Sequence, residues 1–141
     1  MKSLIPKLSE SAFQRQVIDA AHLLGWLVMH SRPSRTVGRD GTVRHATALQ
    51  GDAGFPDLIM TRRGVTLIVE LKSNAGRIGP AQLRWINALA GTDADADNWF
   101  SSSPIPRFVA PYYRNSSLIF VVAYPRHLRW LIDVLQTGTL P

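Results

Sequence analysis

The stretch Gly54-Phe55-Pro56-Asp57-Leu58-Ile59-Met60-Thr61-Arg62-Arg63-Gly64-Val65-Thr66-Leu67-Ile68-Val69-Glu70-Leu71-Lys72 decides how the chain folds. Two β-prone runs, 57–62 and 66–72, are separated by Arg63-Gly64-Val65, the length of a tight hairpin connection. The second run is apolar on both faces apart from Glu70 and Lys72, which predicts a central strand. Side chains alternate along a strand, so those two share one face about 6–7 Å apart. A charge in such a strand is costly unless it is paired or bound to metal. Taken alone, Glu-x-Lys reads as a partly buried salt bridge. Joined to Asp57 at the start of the preceding strand, Glu70 also reads as half of a carboxylate pair. Such a pair, with the Leu71 carbonyl beside it, brings oxygen ligands to a hard divalent cation.

The flanks read as alternating elements. Residues 9–25 predict an amphipathic helix with Phe13, Val17, Ala20 and Leu24 at helical spacing, Ser9 or Ser11 as its cap and Gly25 at its end. Residues 26–30 form a short β-prone run. Pro80 opens a helix with Leu83, Ile86 and Ala90 on one stripe, ending near Gly91. A buried strand follows at 117–124, then a helix from Pro125 with Leu128, Leu131, Ile132 and Leu135 on one face, closed by Gly138. Residues 31–54 read as a long loop or hairpin, and 91–116 as an insertion or flexible loop without periodicity. The order implies an α/β sandwich with a mixed central sheet flanked by helices, one domain over 1–141.

With 141 residues, a single core is the expectation. No apolar run reaches the ~18–20 residues that cross a bilayer, and no secretory signal is visible, so the cytoplasm is the expected compartment and no membrane partner is foreseen. The absence of cysteine excludes disulfides, thiolate zinc sites, iron–sulfur clusters and cysteine nucleophiles. Sixteen Lys and Arg against ten Asp and Glu give a net charge of +6, which suits a polyanionic partner.

Phe55-Pro56-Asp57 followed by Glu70-Leu71-Lys72 resembles the PD-(D/E)xK nuclease signature. The wider pattern resembles the virus-type replication-repair nuclease domain, VRR-NUC, in its standalone phage-like form. The resemblance rests also on Glu10 and Gln14, on Gly54, and on Gly76-Arg-Ile-Gly-Pro-Ala-Gln82 followed by Trp85. It implies a restriction-endonuclease-like fold and Mg2+- or Mn2+-dependent phosphodiester hydrolysis on DNA. Asp57 and Glu70, with the Leu71 carbonyl, are the implied metal ligands, and Lys72 orients or deprotonates the attacking water. Glu10 is an implied outer-shell or second-metal residue, and Gln82 an implied site-lining one. By the same analogy the substrate is branched, junction or flap DNA met in replication, repair or recombination, and the working form a homodimer, in the bacterial host's cytoplasm if the gene is a phage's.

Glu10 and Gln14 share a helix face with Ile18 and Ala21, which directs them toward the sheet. Gln82 sits in the first turn of its helix, where unpaired N–H groups let phosphate approach. Trp85, beside the stripe through Ile86 and Leu89, reads as core. Gln14 and six arginines, Arg32, Arg35, Arg39, Arg44, Arg77 and Arg84, are the candidates for nucleic-acid contacts. Asp93–Asp97 imitates a calcium loop but has Asn98 and Pro104 where glycine and glutamate belong, and the four histidines lack metal-ligand spacing. A non-catalytic DNA-binding module and a sequence-specific restriction enzyme remain as rival readings.

Overall fold

A computed structural model describes residues 8–30, 34–37, 39–46, 51–110, 112–113 and 116–141, with the backbone alone for 34–37, 43–46, 112–113 and 116–117. Along the chain lie α1 (Glu10–Leu23), β1 (Leu27–His30), β2 (Ser34–Val37), β3 (Val43–Ala46), β4 (Leu58–Arg62), β5 (Val65–Leu71), α2 (Pro80–Ala90), β6 (Arg107–Val109), β7 (Tyr112–Tyr113), β8 (Ser116–Ala123) and α3 (Leu128–Thr137). Short 3-10 turns occupy Ala96–Trp99 and Pro125–His127.

The β4–β5 hairpin is tighter than the sequence suggests. Arg62 lies opposite Val65, so the connection is Arg63-Gly64 alone, with φ of 50° and 80°. Left-handed backbone at both positions gives a turn whose twist matches that of its strands. β5 therefore starts one residue early, at Val65.

The main sheet runs β1-β4-β5-β8-β6, with β7 pairing the far part of β8. β5 and β8 are parallel and the other neighbours antiparallel, so the sheet is mixed, as expected. β2 and β3 form a separate antiparallel hairpin within 31–54. The segment 91–116, expected to be an insertion or flexible loop, carries instead the 3-10 turn at 96–99, β6, β7 and the first residue of β8. Strands of two and three residues are too short to leave a period in the sequence.

Alternation along β5 divides the core. Leu67, Val69 and Leu71 join Phe13 and Val17 of α1 and Leu131 and Leu135 of α3 on one face. Ile68 joins Ile86 of α2, Trp99, Phe120 and Val122 on the other. Both faces of β5 are thus covered, which is why it reads as almost continuously apolar. Ser9 caps α1, its hydroxyl accepting the Ala12 N–H at 3.1 Å. Gly91 and Gly138 close α2 and α3 in the left-handed conformation expected of them. The Trp26 indole N–H donates to the Leu135 carbonyl at 2.8 Å, and Arg62 donates to Leu24 and Gln136, fastening the ends of α1 and α3 to β4.

His127, fully buried, anchors the chain before α3. Its Nδ1 accepts the Tyr124 N–H at 3.0 Å and its Nε2 meets the Ser103 carbonyl at 2.9 Å, so the proton resides on Nε2. Burial pushes its pKa down from 6.5 to about 4, with Arg126 adding to the effect. A depressed folded value means that the unfolded chain takes up the proton first. Stability is complete above pH 6.5 and drains as pH falls toward 4, by roughly 3 kcal/mol. Thermal denaturation of wild type and His127→Asn from pH 7 to pH 4 checks this. The variant should start lower and fall less steeply, and parallel curves would refute it.

Candidate active site

The hairpin register builds the site. Leu58 lies opposite Val69, so one step further Asp57 comes opposite Glu70. Asp57 Oδ2 accepts the Leu71 N–H at 2.8 Å, which fixes the carboxylate at the strand's edge. Glu70 is 1% exposed and Lys72 6%. Lys72 Nζ stands 3.4 Å from Glu70 Oε1 and is, among the described residues, its ion-pair partner. Alternation puts both on the α2 side of the sheet.

Gln82, in the first turn of α2, knits these groups together. Its Oε1 accepts from Lys72 Nζ at 2.8 Å and from the Gly79 N–H at 2.9 Å, and its Nε2 donates to Glu70 Oε1 at 2.8 Å. Two donors at the oxygen and an acceptor at the nitrogen leave the amide one orientation. The same Gly79 bond closes the start of the helix, so helix capping and site assembly share one side chain.

Electrostatically the site is strained toward protonation. Burial, then the Asp57 carboxylate, push Glu70 up to about 8, against the pull of Lys72. Burial also raises Asp57, which the Leu71 N–H, Lys72 and a hydrogen bond with the Glu70 carboxyl hold down in part. Two carboxyl groups close enough to share a proton cannot both ionise at no cost.

Gly54 and the Phe55–Trp85 contact place the Asp57 loop on α2. At Gly54, φ is 94°, and a Cβ there would lie 2.5 Å from the Ala81 carbonyl oxygen and 2.7 Å from the Gln82 nitrogen. Trp85 is half-buried and meets Phe55 edge-on at 4.9 Å, while its indole N–H donates to the Asp52 carbonyl at 3.2 Å. This corrects the reading of Trp85 as core: it holds the loop before Asp57. Nothing in its helical spacing separates the two roles, since it sits beside the true core residue Ile86.

Glu10 is exposed and Gln14 half-buried on the face that Ile18 and Ala21 continue into the core, beside the buried stripe of Phe13, Val17 and Ala21. Glu10 nonetheless belongs to the site's surroundings. Its pKa is raised by partial burial and then by the Asp57 carboxylate, with Lys72 and the Ser73 backbone pulling the other way. Arg77 is exposed with its guanidinium 5.6 Å from the Phe100 ring, and Arg84 is exposed on α2. Arg39 is exposed at the turn between β2 and β3. Arg35 and Arg44 fall in those strands, opposite His45 and Thr36 respectively. Arg32 lies outside the described residues.

The donor set is all oxygen: two carboxylates with backbone carbonyls nearby. Among the described residues no three His, Cys, Asp or Glu side chains gather to hold a metal ion. Two carboxylates fit magnesium, which keeps several of its own waters and is commonly held by one or two such groups. A cation there would also relieve the repulsion between Asp57 and Glu70.

A strand hairpin that sets two carboxylates and a lysine on one edge of a mixed sheet, locked from the next helix by a glutamine, defines the PD-(D/E)xK arrangement. Residues 41–98 match the family model of the VRR-NUC domain, a span that includes Gly54, Asp57, Glu70, Lys72 and Gln82 and leaves Glu10 and Gln14 outside. Over that span the chain matches the family read from its motifs, and the mixed α/β sheet is consistent with a restriction-endonuclease-like fold. A VRR-NUC domain implies a nuclease acting on DNA. No curated protein and no solved structure matches the chain. Among the described residues no helix is long and apolar enough to cross a membrane.

Proposed function

We propose that the chain is a DNA endonuclease that hydrolyses phosphodiester bonds with Mg2+ or Mn2+ held by Asp57, Glu70 and the Leu71 carbonyl. The observation that carries this reading is the pair of carboxyl groups, Glu70 buried and Asp57 half-buried, each raised by burial, beside an ammonium fixed by Gln82. The bound cation supplies charge stabilisation for the phosphoryl oxygens. Lys72 presents a positive charge to the scissile phosphate at a position set in advance, so little reorganisation is needed as charge develops. Gln82 keeps Lys72 and Glu70 at their spacing, and Glu10 adds negative potential at the margin. Arg39, Arg77 and Arg84 offer exposed guanidinium groups to the backbone. The family resemblance supports branched, junction or flap DNA as substrate, a homodimer as working form, and action in the cytoplasm during replication, repair or recombination.

Incubating the protein with supercoiled plasmid and synthetic junctions in magnesium, manganese or EDTA tests this. Wild type should cut in either metal and not in EDTA, preferring the junctions. Asp57→Ala, Glu70→Ala and Lys72→Ala should each lose at least ~100-fold in rate. Tight DNA binding without cleavage in any metal would overturn the enzyme reading. Sedimentation of the full chain reads the dimer separately.

A further inference from the structure

The connection from α2 to β8 builds a second surface at the same end of the sheet as the carboxylates. Val122 pairs with Glu70 on one side and with Arg107 on the other. Residues in one row across a sheet project to one face, so Arg107 leaves β6 on the side of Glu70, two strands away or about 10 Å.

Beside Arg107 lies an open cavity of about 450 Å3 lined by Phe100, Ser102, Ile105, Pro106, Arg107 and Phe108 among others. That volume falls in the range of small-ligand sites. Ile105 is 58% and Phe108 37% exposed, apolar surface that core packing does not explain. The walls are held in place. Phe108, one residue on from Arg107 and so on the opposite face of β6, stacks on Trp130 at 5.3 Å, the Ser101 hydroxyl donates to the Ile105 carbonyl at 2.6 Å, and Arg126 donates to the Ser101 carbonyl at 2.9 Å.

The surface also continues to the site. Arg77 and Arg126 lie 5.6 and 5.4 Å from the Phe100 ring, and the Tyr124 hydroxyl donates to the carbonyl of Gly76, in the loop leaving Lys72. Among the described residues none of Arg77, Arg107 and Arg126 forms an ion pair with a carboxylate. Guanidinium groups for phosphate and an aromatic ring for a base make up the chemistry that takes an unstacked nucleotide. A paired base in a duplex cannot enter such a cavity without leaving its stack.

We infer that this cavity is a subsite for one unpaired nucleotide of the DNA strand being cut, its base against Phe100 and its phosphate at Arg107. The inference deepens the nuclease reading and rests on it for the identity of the strand, but binding is measurable without cutting. In EDTA, a fluorescein-labelled single-stranded oligonucleotide and a blunt duplex of equal length are titrated with wild type, Arg107→Ala and Ser102→Trp, which fills the cavity from an exposed position. Each variant should bind the single strand ~10-fold more weakly, with the duplex changed less than ~2-fold and the unfolding temperature unchanged. Equal losses on both ligands, or none on the single strand, would overturn the subsite. So would displacement of the oligonucleotide by free deoxynucleoside monophosphate at comparable concentration. A wild type that shows the predicted selectivity yet cuts no DNA in magnesium or manganese would remove the nuclease reading and keep the subsite. An active enzyme without the selectivity would do the reverse.

Discussion

Exchanging Glu70 for glutamine should abolish cleavage and, in metal-free buffer, raise the unfolding temperature, with the gain growing as pH rises. Glu70 is 1% exposed, and burial followed by the Asp57 carboxylate push its pKa from 4.5 up to about 8. A raised value in an acid means that the folded state keeps a proton that the unfolded chain has already released. Stability is therefore complete below pH 4.5 and is lost as pH rises through 8. Glutamine has the carboxyl's shape and keeps an oxygen for the Gln82 Nε2 donor at 2.8 Å, without the charge. The stability recovered is on the order of several kcal/mol in alkaline buffer, upward of ~5 °C in midpoint. Magnesium should stabilise wild type increasingly with pH and leave Glu70→Gln unmoved, since the ligand proposed for it is gone. Scans with and without metal from pH 5 to pH 9 measure both effects. A destabilised variant at pH 9 would show that the carboxylate is at ease in its pocket, and the electrostatic argument for a cation would fail.

The parts of this site that the sequence displays are those made by short-range geometry. A period of two places Glu70 and Lys72 on one face, and a tight turn at Arg63-Gly64 brings Asp57 opposite Glu70. Both follow from residues within one hairpin. Gln82 announces itself less directly: its place in the first turn after Pro80 is readable, but its three bonds depend on how α2 packs on the sheet. The surface around Phe100 and Arg107 left no trace, because it is assembled from an aperiodic segment, a three-residue strand and the turn before α3. Glu10 is legible only in part: helical spacing puts it on a face with Ala21, while its nearness to Asp57, Lys72 and the Ser73 backbone depends on how α1 packs on the sheet.

Gly54→Ala should cost both stability and activity, although no catalytic atom is touched. The backbone at Gly54 is left-handed, with φ of 94°, and an added Cβ would be driven to 2.5 Å from the Ala81 oxygen and 2.7 Å from the Gln82 nitrogen. Those atoms are backbone in the first turn of α2 and cannot swing aside as a side chain would. Relief requires the loop to withdraw from the helix, and the loop carries Asp57 while the helix carries Gln82. The strain and displacement together should lower stability by roughly 2–4 kcal/mol. Separation of Asp57 from the Gln82-held Lys72 and Glu70 by about 1 Å should reduce cleavage about 100-fold. Gly51→Ala supplies the comparison, because Gly51 also has a positive φ, 122°, but nothing lies within 4 Å of its added Cβ. It should lose about 1 kcal/mol through backbone strain alone and stay within a few-fold of wild-type activity. Cleavage assays run well below both melting temperatures separate the two effects. If the variants lost activity in proportion to stability alone, the approach of loop to helix would be a packing detail; if Gly54→Ala loses far more than its stability explains, that approach sets the distance between the Asp57 carboxylate and the lysine.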